Sequence, residues 1–266
     1  MKKVLWFRRD LRVDDSMLLA TEGEVLPIFI FDTNILNTLE KDDKRVSFIF
    51  EQVTKLKAEL QALGLDLAIF YGTPLEVFTY LKTLGFCEVY ASVDYDSYAR
   101  KRDEEIVELL SFHPLNDCYL FEPHEVLKKD GTPYLVFTPY YRACKELYTK
   151  FYVLEYKRGE QSLSTFDCSV LWSIQDGVRT ALPLTLDALG FEYRNIALLS
   201  PQKVLETFAP KIDNYAINRD FLDIDATSHL SVHLRFGTIS IREVVRFLVQ
   251  LKAQGHETEP FFRQLI

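Results

Sequence analysis

Long apolar runs are missing from this 266-residue sequence. No stretch approaches the roughly 20 residues needed to cross a bilayer. Met1-Lys2-Lys3 leads into a short apolar run broken by Arg8-Arg9-Asp10, not into a signal-peptide core. A cytoplasmic protein without membrane contact is expected. Cysteine is scarce: Cys87, Cys118, Cys144 and Cys168 lie too far apart for a CxxC pair, which argues against a disulfide framework and a zinc ribbon. HExxH is absent, and His229 and His233 share an i, i+4 face with no cysteine or carboxylate beside them in the pattern, so no metal is expected. Positive charge is also short, with a net of −8. From Pro201 onward basic and acidic residues balance at eight each, so the whole deficit lies in residues 1–200. That acidic part is a poor DNA contact, whereas the neutral part can gather arginines on one face.

What is present is alternation. Val4–Phe7, Val25–Phe31, Asp66–Tyr71, Glu88–Ser92 and Asp117–Phe121 read as strands. Between them Arg45 to Leu63, Pro74 to Leu84 and Tyr98 to Leu110 carry helical spacing, two of these stopped by Gly64 and Gly85, and Ser16 to Thr21 reads as a brief helix. Repeated strand-helix units predict an α/β domain over 1–130 with a doubly wound, parallel, five-stranded Rossmann-like sheet. The Gly-x-Gly-x-x-Gly signature is absent after the first strand, so the sheet need not hold nucleotide phosphates in the usual way. Residues 131–199 read as an inter-domain linker, crowded at first with Tyr134, Phe137, Tyr140, Tyr141, Tyr148, Phe151, Tyr152 and Tyr156, which favour packing over base stacking. Residues 200–266 read as the start of an all-α domain, opened by Ser200-Pro201 and continued by Ser240 to Gln254 and a last helix near Thr258-Glu259-Pro260.

The most informative stretch is Thr227-Ser228-His229-Leu230-Ser231, followed by Leu234 to Arg242 with Gly237 and Ser240 inside it. Three hydroxyls within five residues at the mouth of a helical pattern can turn oxygens and N–H groups onto one anion, aided by the helix N-terminus. The same spacing equally serves a helix cap at Thr227 or Ser228, closed by Gly237.

Three runs carry a resemblance. Tyr215 through Arg219-Asp220 to Thr227–Ser231 and Gly237–Arg242 resembles the flavin-phosphate segment of the DNA photolyase/cryptochrome family. Leu5-Trp6-Phe7-Arg8-Arg9-Asp10-Leu11-Arg12-Val13-Asp14-Asp15 is similar to its opening strand and loop, and Lys129 to Tyr140 to its inter-domain connection. The resemblance implies FAD, with Tyr215, Thr227, Ser228, His229, Leu230 and Ser231 at the cofactor; His229 stands where many members have arginine. It implies damaged DNA as partner, with Arg219 on a phosphate. Gln264 stands where dimer-specific photolyases carry glutamate and (6-4) photolyases and many cryptochromes carry glutamine, which leaves the lesion open.

It also implies an accessory antenna chromophore on the α/β domain, a deazaflavin, pterin or flavin. Its candidate contacts are Asp32, Thr33, Asn34, Arg45, Asp94, Asp96 and Arg100 on the loops at the sheet's ligand-binding end. The same residues equally serve as helix caps and solvated loop charges. Tyr98-Ala99-Arg100 lacks the Asn-Glu pair of pterin-binding members, which leans toward a deazaflavin or flavin antenna, or none. The implied activity is light-driven repair of pyrimidine dimers by electron transfer from reduced FAD, as a deoxyribodipyrimidine photo-lyase acting as a monomer. The family's helical domain runs well past Ile266, so an incomplete chain, inactive by itself, is expected. A cryptochrome photoreceptor and a non-catalytic antenna-binding module are the alternatives.

Overall fold

The computed structural model describes residues 2–148 and 153–266. Three strands open the sheet: β1 (Lys2–Phe7), β2 (Gly23–Asp32) and β3 (Ala68–Gly72). Between β2 and β3 lie α1 (Thr33–Leu36) and α2 (Lys44–Ala62). Then come α3 (Pro74–Thr83), β4 (Phe86–Ser92), α4 (Ser97–Leu109) and β5 (Ser111–Leu115). The helices begin where side chains can satisfy their first N–H groups. Asp43 accepts from Arg45 N–H, Asp96 from Tyr98 N–H, and Thr73 forms a capping box with Glu76 behind Pro74.

The last three strands are β6 (Gln161–Leu163), β7 (Leu171–Gln175) and β8 (Val178–Leu182). The spatial order β5-β4-β1-β2-β3-β7-β8 is parallel except for the last pair, with β6 paired to the start of β2. Among the described residues the sheet thus has eight strands, not five. The missed ones lie in the stretch read as linker: short and, in β8, mostly exposed, they lack the continuous apolar signal of a central strand. The expected strand Asp117–Phe121 is a correction too. The chain crosses the sheet edge earlier, with Ser111–Leu115 beside β4, and 117–121 is irregular. A β-bonding pattern that contains His113 and Pro114 is an edge strand, which apolarity alone does not reveal. The segment Ser16–Thr21 forms turns, not a helix.

Alternate residues of β1 and β2 pack on opposite faces, as two helical layers require. Val4, Trp6, Ile28 and Ile30 meet Val77, Phe78 and Leu81 of α3, while Leu5, Phe7, Phe29 and Phe31 meet Val46, Val53 and Leu56 of α2. A separate core joins the remaining helices: α5 (Phe137–Leu147), α6 (Pro201–Phe208), α7 (Tyr215–Asn218), α8 (Ser231–Phe236), α9 (Ile241–Ala253) and α10 (Glu259–Leu265). Tyr134, Tyr140, Tyr141 and Tyr148 pack into this core, so these aromatics of the connection wedge helices together; Phe151 and Tyr152 lie outside the described residues. No helix among the described residues is long and apolar enough to cross a membrane.

The two cores are fastened through the loop after β1. Leu11 N–H donates to Phe236 O at 3.1 Å, and Arg9 Nε donates to Arg235 O at 3.2 Å. The contact is so close that a Cβ on Gly237 would stand 2.0 Å from Arg9 O, and Gly237 also has φ of 63°. Glycine is required there on both counts. Beneath it, Arg12 and Arg242 share the buried carboxylate of Asp117, at 2.7 and 2.6 Å, while Arg242 and Arg246 hold Asp15 at 3.0 Å each.

Candidate functional site

The loop after β1 and helix α8 stand between two concave regions. The larger is a cavity of about 550 Å³ at the carboxyl ends of β1 and β2, where open α/β sheets take ligands. Its walls are apolar and aromatic, with Phe29, Phe31, Leu36 and Ile49 from the sheet layer and Phe236 from α8. Five arginines, Arg8, Arg9, Arg45, Arg102 and Arg235, line it with Asp32 and Asp94. Asp103 pairs with Arg8 and Arg102 and Asp43 with Arg45 just outside, so the cavity keeps a single net positive charge, which suits a flat ligand with one anionic group.

Each charge is held in place. Burial would raise the Asp94 carboxyl, but Arg9, 2.9 Å away, draws it below its ordinary value. At Asp32 burial dominates and pushes the carboxyl up, although it accepts from Asn34 N–H at 3.0 Å and Tyr98 O–H at 2.5 Å. Burial, with Asp32 as acceptor, pushes the Tyr98 phenol up to about 12, so it stays a donor. The guanidiniums of Arg8 and Arg102 lie over the Trp6 ring at 4.6 and 4.7 Å, and burial followed by this neighbouring charge lowers Arg102. Arg8 Nε is buried with no hydrogen-bond partner among the described residues.

Of the antenna candidates, Asp32, Arg45 and Asp94 line this cavity. Asn34, Asp96 and Arg100 do not: Asn34 Nδ2 donates to the Tyr98 hydroxyl at 3.2 Å, Asp96 caps α4, and Arg100 lies over the Tyr95 ring. Thr33 is buried at the start of α1. Sequence reasoning missed Arg8, Arg9, Arg102 and Arg235 at the cavity, although the Arg8-Arg9 pair directly after a buried strand was a readable signal.

On the other flank, Thr227 and Ser231 expose their side chains, and among the described residues no hydrogen bond occupies either hydroxyl. Ser228 Oγ accepts from Leu230 N–H at 3.4 Å. The cap reading holds at Gly237, which closes α8 in the left-handed conformation, and not at Thr227 or Ser228, because α8 begins at Ser231 after Leu230 with no side-chain cap. At six residues α8 supplies little helix field, so the hydroxyls and loop N–H groups matter more. His229 holds φ at 53°, and its Nε2 lies 2.7 Å from Asp225 Oδ1, whose Oδ2 takes Lys211 at 2.7 Å. A carboxylate therefore does stand beside His229, contrary to the spacing argument. His233 is occupied at both nitrogens, by Thr238 Oγ1 at 2.8 Å and Leu199 O at 3.1 Å. An open row of hydroxyls and N–H groups fits a diphosphate, which needs donors and no acceptors.

Tyr215 packs between Phe208 and Phe261, with ring centroids at 5.7 and 5.2 Å. Arg219 follows it, partly exposed, 3.6 Å from Asp220 and over the Tyr215 ring. Gln264 is exposed on α10 and lines a smaller cavity of about 280 Å³ with Arg9, Ser231 and Arg235. Ser231 and Arg235 border both cavities, so α8 is their shared wall.

Residues 3–157 match the DNA photolyase family profile. The deoxyribodipyrimidine photo-lyase of Alkalihalophilus pseudofirmus is 31% identical, over 99% of this chain and 57% of its own length. Cryptochrome-2 of Arabidopsis thaliana is 27% identical, over 91% of this chain and 42% of its own. The archaeal photolyase of Sulfolobus tokodaii, solved with two FAD molecules and titled as implying a novel light-harvesting cofactor, superposes with a TM-score of 0.72 at 23% identity, covering 57% of that chain. The chain spans about half the length of these relatives. With a profile matched over more than half of it and an eight-stranded sheet of the same architecture, the chain belongs to the DNA photolyase/cryptochrome family.

Proposed function

We propose that this chain serves light-driven repair of pyrimidine dimers in DNA, binding an antenna chromophore in the 550 Å³ cavity and the FAD diphosphate at Thr227–Ser231. The observation that carries the reading is the shared wall: α8 lines the cavity with Ser231, Val232, Arg235 and Phe236, while the loop leading into it presents the open hydroxyls. Two light-absorbing groups would thereby sit a helix apart. Bound FAD would supply the photochemistry, donating an electron to the dimer under light. The chain's own residues orient it: Thr227 and Ser231 donate to the diphosphate, Ser228 and His229 shape the loop, and Leu230 anchors it in the core.

Arg219, a permanently charged fork, suits a DNA phosphate, and Gln264 can donate to and accept from a pyrimidine edge. The size of the cavity and its positive excess favour a flavin-type or deazaflavin antenna, as does the second FAD of the Sulfolobus relative. We take the α/β domain as residues 2–130 together with 161–191, which complete its sheet and core, and the helical domain as 200–266 with α5, a cytoplasmic monomer being the simplest form.

The second reading is a photoreceptor, favoured by the neutral Gln264 and by the similarity to cryptochrome-2. Illumination of FAD-loaded complete protein with an oligonucleotide carrying one cyclobutane dimer separates them. Dimer loss in light and none in darkness is expected, with Arg219→Ala weakening damaged-DNA binding about tenfold, the scale of one charge-assisted contact. Unchanged dimer in light, with flavin bound, would leave the photoreceptor reading.

A further inference from the structure

A third cavity, of about 380 Å³, opens between the end of β5 and the segment after α5, away from α8. Its walls include Met17, Leu120, Tyr119 and Tyr156, with Glu122 and Glu125 as its two carboxylates. Glu122 is only 2% exposed. Its Oε2 takes the Tyr95 hydroxyl, and its backbone N–H donates to Glu125 Oε2 at 2.7 Å. Burial, followed by Glu122 as acceptor, pushes the Tyr95 phenol above its ordinary range, so that bond is donated by tyrosine. Glu122 Oε1, however, is buried with no hydrogen-bond partner among the described residues. A buried carboxylate oxygen left empty costs on the order of 1–3 kcal/mol or more, which marks it as a place for a donor.

We propose that this cavity binds an alkylammonium cation, which donates to Glu122 Oε1 and lays its carbon chain along Met17 and Leu120. The charge of the cavity selects a cation. Its one basic residue, Arg242, is spent on Asp15 and Asp117 and lies over the Tyr156 ring at 4.6 Å. A metal ion is disfavoured, because no group of three or more potential ligands exists among the described residues. A guanidinium would seek two free oxygens, and only one is open here. An ammonium needs one strong acceptor, and its stem gains from the Met17 thioether and the apolar Leu120, the Tyr156 face being taken by Arg242. The ammonium has two sources: a free amine, or the lysine side chain of another protein.

The test is titration of the 266-residue chain with n-butylammonium, with N-acetyl-lysine methylamide, and with the neutral 1-butanol, read by ligand-observed NMR. Butylammonium is expected to bind in preference to 1-butanol, to be weakened by salt, and to bind Glu122→Gln about tenfold less, as loss of one charge-assisted bond implies. Equal binding of the lysine derivative identifies a protein-borne side chain, and binding of the free amine alone a small metabolite. Equal binding of butylammonium and 1-butanol, no binding of either, or undiminished binding to folded Glu122→Gln overturns the proposal. The comparison of charged and neutral compounds on the unsubstituted chain decides the matter even if Glu122→Gln fails to fold.

Discussion

Asp117→Asn is expected to lower unfolding free energy by about 3–5 kcal/mol, the cost of breaking a buried ion pair from one side. The substitution keeps the shape and removes the charge shared by Arg12 and Arg242, whose side chains are each 6% exposed. Arg242 retains Asp15, but Arg12 keeps only the carbonyls of Asp14, Asp15 and Gly237. An uncompensated guanidinium in a buried junction has no water to turn to. Urea unfolding measures the loss. The contrast is Glu206→Gln, which breaks the exposed pair with Lys203 at 3.0 Å and is expected to cost no more than about 1 kcal/mol. Equal effects of the two substitutions would mean that Asp117 is not what joins the sheet to the helices.

The second large effect concerns the main cavity. Replacing both Leu39 and Ile49 by tryptophan places two indoles inside the 550 Å³ space without touching its arginines. Both residues pack only partly buried against the sheet core, so the larger rings can turn into the cavity and leave the core intact. Binding of a flat chromophore is expected to weaken by more than about tenfold, or 1.4 kcal/mol, while far-UV circular dichroism stays unchanged. Undiminished chromophore binding, measured by fluorescence titration, would place the antenna elsewhere. Arg45→Ala, by contrast, is expected to matter little. Its guanidinium is 64% exposed and already paired with Asp43.

How much of this was legible in the sequence depended on what each residue does locally. The four central strands and helices α2, α3 and α4 were readable because continuous apolar runs, glycine stops and a Thr-Pro-x-Glu cap are local signals. Strands β6 and β7 were not, since their pairing with β2 and β3 is decided by tertiary contact at distances of 100 residues or more; β8 pairs with β7 across Asp176-Gly177, a local hairpin signal hidden by the short, exposed strand after it. The cavity was half legible. Asp32 and Asp94 follow strands at the ligand-binding end, as expected. Arg102 sits five residues into α4, and Arg235 arrives from another part of the chain altogether. The hydroxyl loop was readable as a cluster, but its cap geometry was not. That depended on the left-handed conformation of His229 and on the Asp225 partner, neither of which periodicity encodes.

The central claim is that α8 separates two cofactor places, and the most direct measurement is the absorption spectrum of the complete protein isolated from its own cells in darkness. Two chromophores are predicted. The Leu39→Trp/Ile49→Trp protein should lose the antenna band and keep flavin, and a Thr227→Ala/Ser228→Ala protein, which leaves the shared wall untouched, should lose flavin and keep the antenna. A colourless protein, or both bands lost together in folded variants of either kind, would contradict the account.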